Sequence, residues 1–171
     1  MICPACGHVN IPGSDECGRC KLDLAPFDRP IAQDRIEASL MTDTVRSLKP
    51  KQPVTISISS NLGYALQILI DKEIGAVLVT NEDGLLVGIL TERDYLNKVV
   101  GIHNDYCRLP LAPVMTANPE TVELNDSLAY ALQKMDGGQY RHLPVVDGGR
   151  PVGIISVRDV IRYVTRIVRE A

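Results

Sequence analysis

Gly88-Ile89-Leu90-Thr91-Glu92-Arg93-Asp94 returns in altered form as Gly153-Ile154-Ile155-Ser156-Val157-Arg158-Asp159. Each copy reads as the end of an apolar strand, a hydroxyl residue, an acid three positions on, and then a helix. Working outward, residues 53–58 align with 119–124, and Tyr64-Ala65-Leu66-Gln67 recurs unchanged as Tyr130-Ala131-Leu132-Gln133. Residues 76–79 are set against 143–146, with a longer turn at Asn81-Glu82-Asp83-Gly84 than at Asp147-Gly148-Gly149. A period above about sixty residues suits two copies of a small domain and is too long for a solenoid.

Each copy has the same grammar. Thr55-Ile56-Ser57-Ile58 alternates as a strand. Leu62, Ala65, Leu66 and Leu69 fall at helical spacing, as do Leu128, Ala131, Leu132 and Met135. Apolar runs at 76–79 and 85–90 flank an Asp-Gly turn and read as a hairpin. A helix closes the copy, and in the second Val157, Val160, Ile161, Val164 and Val168 share one face. The expected class is α+β, with two pseudo-symmetric β-α-β-β-α domains at 41–104 and 105–171.

Before the repeats, Cys3-Pro4-Ala5-Cys6 and Cys17-Gly18-Arg19-Cys20 form two C-x-x-C pairs. Two facing turns of this kind supply four sulfurs for a tetrahedral ion, with no coordination position left open for catalysis. Gly7 and Gly18 mark where left-handed backbone is expected. Ile2, Val9, Ile11, Leu22 and Leu24 are too few to fold the segment unaided, so metal binding and folding are coupled. The segment resembles the short zinc ribbon, with Asn10 and Pro12 also matching. A ribbon at 1–25 with structural zinc on Cys3, Cys6, Cys17 and Cys20 is expected, iron being the lesser alternative. His8 is read as a surface residue. Residues 26–40 form a proline-bounded linker with a short helix, in which Ile31, Ile36 and Leu40 make one buried stripe.

With 45% apolar and 23% charged residues in 171, the chain is globular. A net charge of −3 gives no general case for nucleic-acid binding. No apolar run reaches membrane-span length, and no secretory leader opens the chain. Paired cysteines fit a metal in a reducing cytoplasm better than disulfides.

Thr91-x-x-Asp94 and Ser156-x-x-Asp159 fit a helix capping box, with Asp in place of the usual Glu or Gln. The same geometry suits a nucleotide: free N–H groups face phosphate, and the carboxylate accepts from ribose hydroxyls. Capping and binding are compatible. Gly88 and Gly153 are read as removing a side chain where a ligand approaches the backbone.

From about Met41 to Val168 the paired copies resemble a tandem of CBS domains, a Bateman module. The resemblance rests on G-h-x-[T/S]-x-x-D in both copies (h apolar), preceded by Met41-Thr42 and Met115-Thr116. It implies two clefts about a pseudo-twofold axis that take AMP, ADP, ATP or S-adenosylmethionine, with NAD a further candidate. Carried over by residue, Asp94 and Asp159 hold ribose, and Thr91 and Ser156 touch phosphate or ribose. Thr55, Ile56, Ala76, Thr121, Val122 and Leu143 line the nucleotide sites, and Arg141 and His142 reach phosphate. The first copy has Ile74-Gly75-Ala76-Val77 there and no cation, so the clefts are expected to differ. The resemblance also implies that each aspartate faces the other copy's adenine pocket, and that the module dimerises through its helices.

Arg93 and Arg158 fit either a phosphate contact or a surface ion pair. Arg158, Arg162, Arg166 and Arg169 give the last helix a partly basic, solvated face. His142 lacks a nearby nucleophile, and Cys107 and His103 carry no chemistry of their own. The reading is a non-catalytic sensor of an adenine nucleotide that signals to a protein partner. The rivals are a zinc-ribbon adaptor on nucleic acid or a transcription complex, an iron enzyme, and a bare dimerising scaffold.

Overall fold

The computed structural model describes residues 2–11, 13–24 and 34–169. The chain divides into two compact units between Ala38 and Ser39. In the first, Ile2 bridges Val9 and Glu16 bridges Asp23, both antiparallel, so that each bridge closes a C-x-x-C turn. The residue after each turn is left-handed: Gly7 at φ 70° and Lys21 at φ 60°. The second such position therefore falls on Lys21 and not on Gly18, whose N–H donates to Asn10 Oδ1 at 2.9 Å. Cys3, Cys17 and Leu24 are buried, while Ile2, Val9 and Ile11 face solvent. Two of the three buried residues of this small cluster are cysteines. Pro12 and the linker residues 25–33, Ile31 among them, lie outside the described residues.

Helix α1 spans Arg35–Thr42 and begins where Asp34 Oδ1 accepts the N–H of Glu37 at 2.8 Å. It buries no residue fully: of the expected stripe, Ile36 and Leu40 are half-covered and Ile31 lies outside the described residues.

The second unit repeats one plan twice. The first copy has β1 (Thr55–Ser57), α2 (Leu62–Asp71), β2 (Ala76–Thr80), β3 (Leu86–Thr91) and α3 (Glu92–Lys98). After a connector comes β4 (Thr116–Ala117), then α4 (Leu128–Gly137), β5 (His142–Asp147), β6 (Arg150–Ser156) and α5 (Val157–Arg169). Asn61 and Ser127 cap α2 and α4 by accepting from Tyr64 N and Tyr130 N. Such caps satisfy donors that a helix start leaves free.

The first strand of the second copy is reduced to a single parallel bridge, Val122 to Val145. Pairing supplies the reason. Ala76 pairs Thr91 and His142 pairs Ser156, so the counterpart of Leu78 is Pro144. Leu78 N–H donates to Val54 O at 2.9 Å; proline has no N–H to donate, and the ladder stops. The same pairing corrects the sequence alignment by one residue. Ala76 corresponds to His142, not to Leu143, and Gly75 to Arg141. A single deletion in the hairpin turn accounts for the rest.

Each copy is completed by the segment that leads into the other. β4 pairs antiparallel with β3, and Leu111, Val114 and Met115 are buried in the first copy's core. In return Lys51 bridges Ile154, and Val45 and Leu48 pack into the second core. The motif glycines make room for these segments. A Cβ on Gly153 would stand 2.7 Å from Pro50 Cβ, and one on Gly88 would strike the Met115 side chain. The expected approach of a ligand to these glycines is therefore corrected: protein fills both spaces. The copies meet through Ala76, Leu78 and Ile89, with Leu86 and Ile154 packed alongside.

Candidate functional site

Both motif aspartates sit one turn into a helix that follows a strand, but their surroundings differ. Asp94 Oδ2 accepts from Thr91 N at 3.0 Å and Thr91 Oγ1 at 2.6 Å. Its Oδ1 accepts from Lys98 Nζ at 2.8 Å and Thr116 Oγ1 at 3.3 Å. A carboxylate offers about four acceptor positions, and all are taken. Lys98 Nζ also donates to Val114 O at 2.7 Å, tying α3 to the segment before β4. The Asp94 side chain is 11% exposed.

Asp159 Oδ2 is held the same way, by Ser156 N at 2.8 Å and Ser156 Oγ at 2.6 Å. Its Oδ1 has only a 3.4 Å contact with Arg162, a side chain 69% exposed. Tyr163 replaces Lys98 at the equivalent position and turns away to donate to Asp43. Asp159 thus keeps acceptor capacity, and it lines a cleft of about 290 Å³. Ser47, Leu48, Lys49, Lys51, Arg162, Tyr163 and Arg166 form the rest of its wall. The aspartate belongs to the second copy, and residues 47–51 lead into the first.

The other expected residues are dispersed. Ile56, Val122 and Leu143 are core side chains, and Ala76 lies in the contact between copies. Thr55 is exposed. Thr121 and Val122 line a separate hollow with Glu123, Asp126, Tyr130, Lys134 and Val146, and neither motif aspartate borders it. Arg141 is exposed, its carbonyl accepting the N–H of Val157 at 3.1 Å. His142 is half-buried, and a Cβ on Gly75 would meet its ring at 3.3 Å. Burial lowers its pKa from the ordinary 6.5, partly offset by the charges of Glu92 and Asp159. Arg93 and Arg158 are exposed and form no ion pair among the described residues.

Sequence reasoning passed over Lys49 and Lys51, which flank Pro50. Arg162 and Arg166 were read as solvated. Their signal was helical spacing from Asp159, since residues 159, 162, 163 and 166 fall on one face of a helix.

The profile of the CBS domain matches residues 40–101 and 111–166, more than half of the chain. The chain belongs to the CBS-domain family. The CBS domain-containing protein CBSCBSPB5 of Arabidopsis thaliana is 36% identical over 141 residues, covering 79% of this chain and 25% of its own length. The chain thus spans about a quarter of that curated relative. CBSX2, solved in complex with AMP, superposes with TM-score 0.61 at 25% identity, covering 74% of this chain and 98% of CBSX2. The CBS pair of protein MJ0100, solved with 5′-methylthioadenosine and S-adenosyl-L-methionine, gives 0.64 at 27% identity, covering 74% and 98%.

Ahead of the CBS pair, the sulfurs of Cys3, Cys6, Cys17 and Cys20 all lie within 4.8 Å of one another. Cys3 to Cys20 and Cys6 to Cys17 are each 3.6 Å. Four sulfurs about 2.3 Å from one zinc stand about 3.8 Å apart, so the set fits a tetrahedral ion. Asn10 Nδ2 approaches Cys17 Sγ at 3.7 Å, and the N–H of Cys20 is the main influence holding the Cys17 thiol down, at about 6. Such donors favour thiolate at Cys17, the form that binds metal. At Cys20 the N–H of Leu22 is outweighed by the neighbouring sulfurs and burial, which push that thiol up to about 12.

Proposed function

We propose that this chain is a non-catalytic regulatory module that binds one adenine nucleotide in the cleft at Asp159. The observation that carries the reading is the free acceptor capacity of Asp159, a residue that lines a cleft, against the saturated Asp94. A ribose diol can donate to that oxygen and displace the weak Arg162 contact. CBS pairs of similar fold hold AMP or S-adenosylmethionine, which supports an adenosine compound.

Occupancy draws α5 and residues 47–51 together, since the cleft lies between them. Tyr163, on the cleft wall, hydrogen-bonds Asp43 just beyond α1, so the change passes toward the segment that follows the ribbon. A nucleotide acts this way only by binding the closed arrangement more tightly than the open one. The ribbon, with structural zinc, presents the state to a protein partner in the cytoplasm. Its cations are few, Arg19 and Lys21, and Lys21 lies 3.6 Å from Glu16, a weak case for nucleic acid.

α5 supports homodimerisation. Its buried residues are Val160, Tyr163 and Ile167, so of the apolar face read from sequence only Val160 is fully buried. Ile161 is 59% and Val168 56% exposed, and with Val157 and Val164 they form an outward apolar stripe suited to a second copy.

Calorimetric titration of metal-loaded protein with AMP, ADP, ATP, S-adenosylmethionine and NAD tests the reading. Saturable binding that Asp159→Ala removes is expected. No binding of any of these at millimolar concentration would refute it.

A further inference from the structure

The cleft at Asp159 carries more positive charge than a ribose requires. Four cations, Lys49, Lys51, Arg162 and Arg166, share its wall with one carboxylate, in a chain of net charge −3. Among the described residues Lys49, Lys51 and Arg166 make no ion pair. Like charges gathered in a concave wall repel one another and focus potential on an incoming anion.

Two of these cations are held in place by the fold. Lys49 ends the 3₁₀ turn Val45–Leu48 at φ 52° and ψ 67°, a region that non-glycine residues seldom occupy. Its N–H is fixed on Arg46 O at 3.0 Å, which sets where the side chain leaves the backbone. Arg166 lies over the Tyr163 ring at 5.3 Å, and Tyr163 is itself buried and tied to Asp43. A stacked guanidinium loses less freedom when it takes up a phosphate. Arg141, the cation that the family motif suggests for phosphate, does not border the cleft.

We infer that Lys49, Lys51 and Arg166 form a subsite for the di- or triphosphate tail of the nucleotide whose ribose Asp159 holds. The cleft then selects by phosphate number: ATP and ADP over AMP, and all three over S-adenosylmethionine, whose sulfonium it repels. This inference rests on the Asp159 reading.

The test is titration of the full, metal-loaded chain with AMP, ADP, ATP, S-adenosylmethionine and inorganic triphosphate. The variants are Lys49→Asn with Lys51→Gln (Asn tolerates left-handed backbone), Arg166→Gln, and Arg169→Gln as a control outside the cleft. Melting curves confirm that each is folded. ATP is expected to bind at least about tenfold more tightly than AMP, an advantage that fades with added salt. The lysine double variant and Arg166→Gln should weaken ATP several-fold more than AMP and so narrow the gap between them; Arg169→Gln should alter neither. Equal affinities for ATP and AMP in the unaltered chain overturn the subsite while the nucleotide reading stands. Triphosphate binding that the lysine variant abolishes, with no nucleotide binding, overturns the nucleotide reading and with it the nucleotide-tail subsite, and leaves only a site for a free polyphosphate. Failure of every compound, triphosphate included, overturns both.

Discussion

Asp94 and Asp159 begin their helices in the same way and end in different chemical states. Each accepts from the backbone and hydroxyl of the residue three positions earlier. The difference lies one turn further along the helix. Lys98 completes the first carboxylate, whereas Tyr163 leaves the second open and reaches Asp43. A repeated motif therefore marks two equivalent backbones, and the next turn decides whether the carboxylate is free to bind.

The strongest way to break this contrast is to exchange the losses. Asp159→Ala is expected to weaken nucleotide binding about 100-fold or more, as removal of a charged hydrogen-bond partner does. Asp94→Ala should leave binding nearly unchanged and instead destabilise the CBS pair. Removing a buried cap and ion-pair partner costs about 2–4 kcal/mol, readable by denaturant titration.

The motif glycines give a second contrast. At Gly153 an added methyl meets Pro50, whose ring cannot yield; at Gly88 it meets the flexible end of Met115. Gly153→Ala should cost about 1–3 kcal/mol and Gly88→Ala less than about 1 kcal/mol, compared by thermal unfolding. Gly153→Ala should also weaken binding, because Pro50 stands between Lys49 and Lys51.

Lys98→Met sharpens the comparison from the other side. It frees Asp94 Oδ1 and should reveal a second, weaker nucleotide site, seen as a rise in calorimetric stoichiometry. The smallest effect concerns His142. Burial lowers its folded pKa below 6.5, so the unfolded chain takes up the proton first. Its contribution to stability is complete above about pH 6.5 and is lost as pH falls through the folded value. His142→Asn should flatten that part of the stability–pH curve.

Much of the fold was legible because repetition and spacing are local signals. The two motifs, the shared Tyr-Ala-Leu-Gln and the four cysteines each declare themselves within a few residues. What escaped depends on contacts remote in sequence. Nothing near Gly88 reveals that Met115 fills its vacant side, and nothing near Gly153 points to Pro50. The one-residue alignment error arose because Pro144 is apolar and looks like a strand residue, yet stands where Leu78 donates to its neighbour. Of the expected nucleotide residues, only Asp159 borders the cationic cleft. Lys49 and Lys51 join it because the segment leading into one copy packs on the other, an exchange no periodicity encodes.

The most direct test of the difference between the two aspartates is the stoichiometry of ATP binding to metal-loaded protein, read by calorimetry in the unaltered chain and in the two aspartate variants. One nucleotide per chain is expected, retained in Asp94→Ala and lost in Asp159→Ala. Two equal sites in the unaltered chain, or binding that survives Asp159→Ala and disappears with Asp94→Ala, would contradict it.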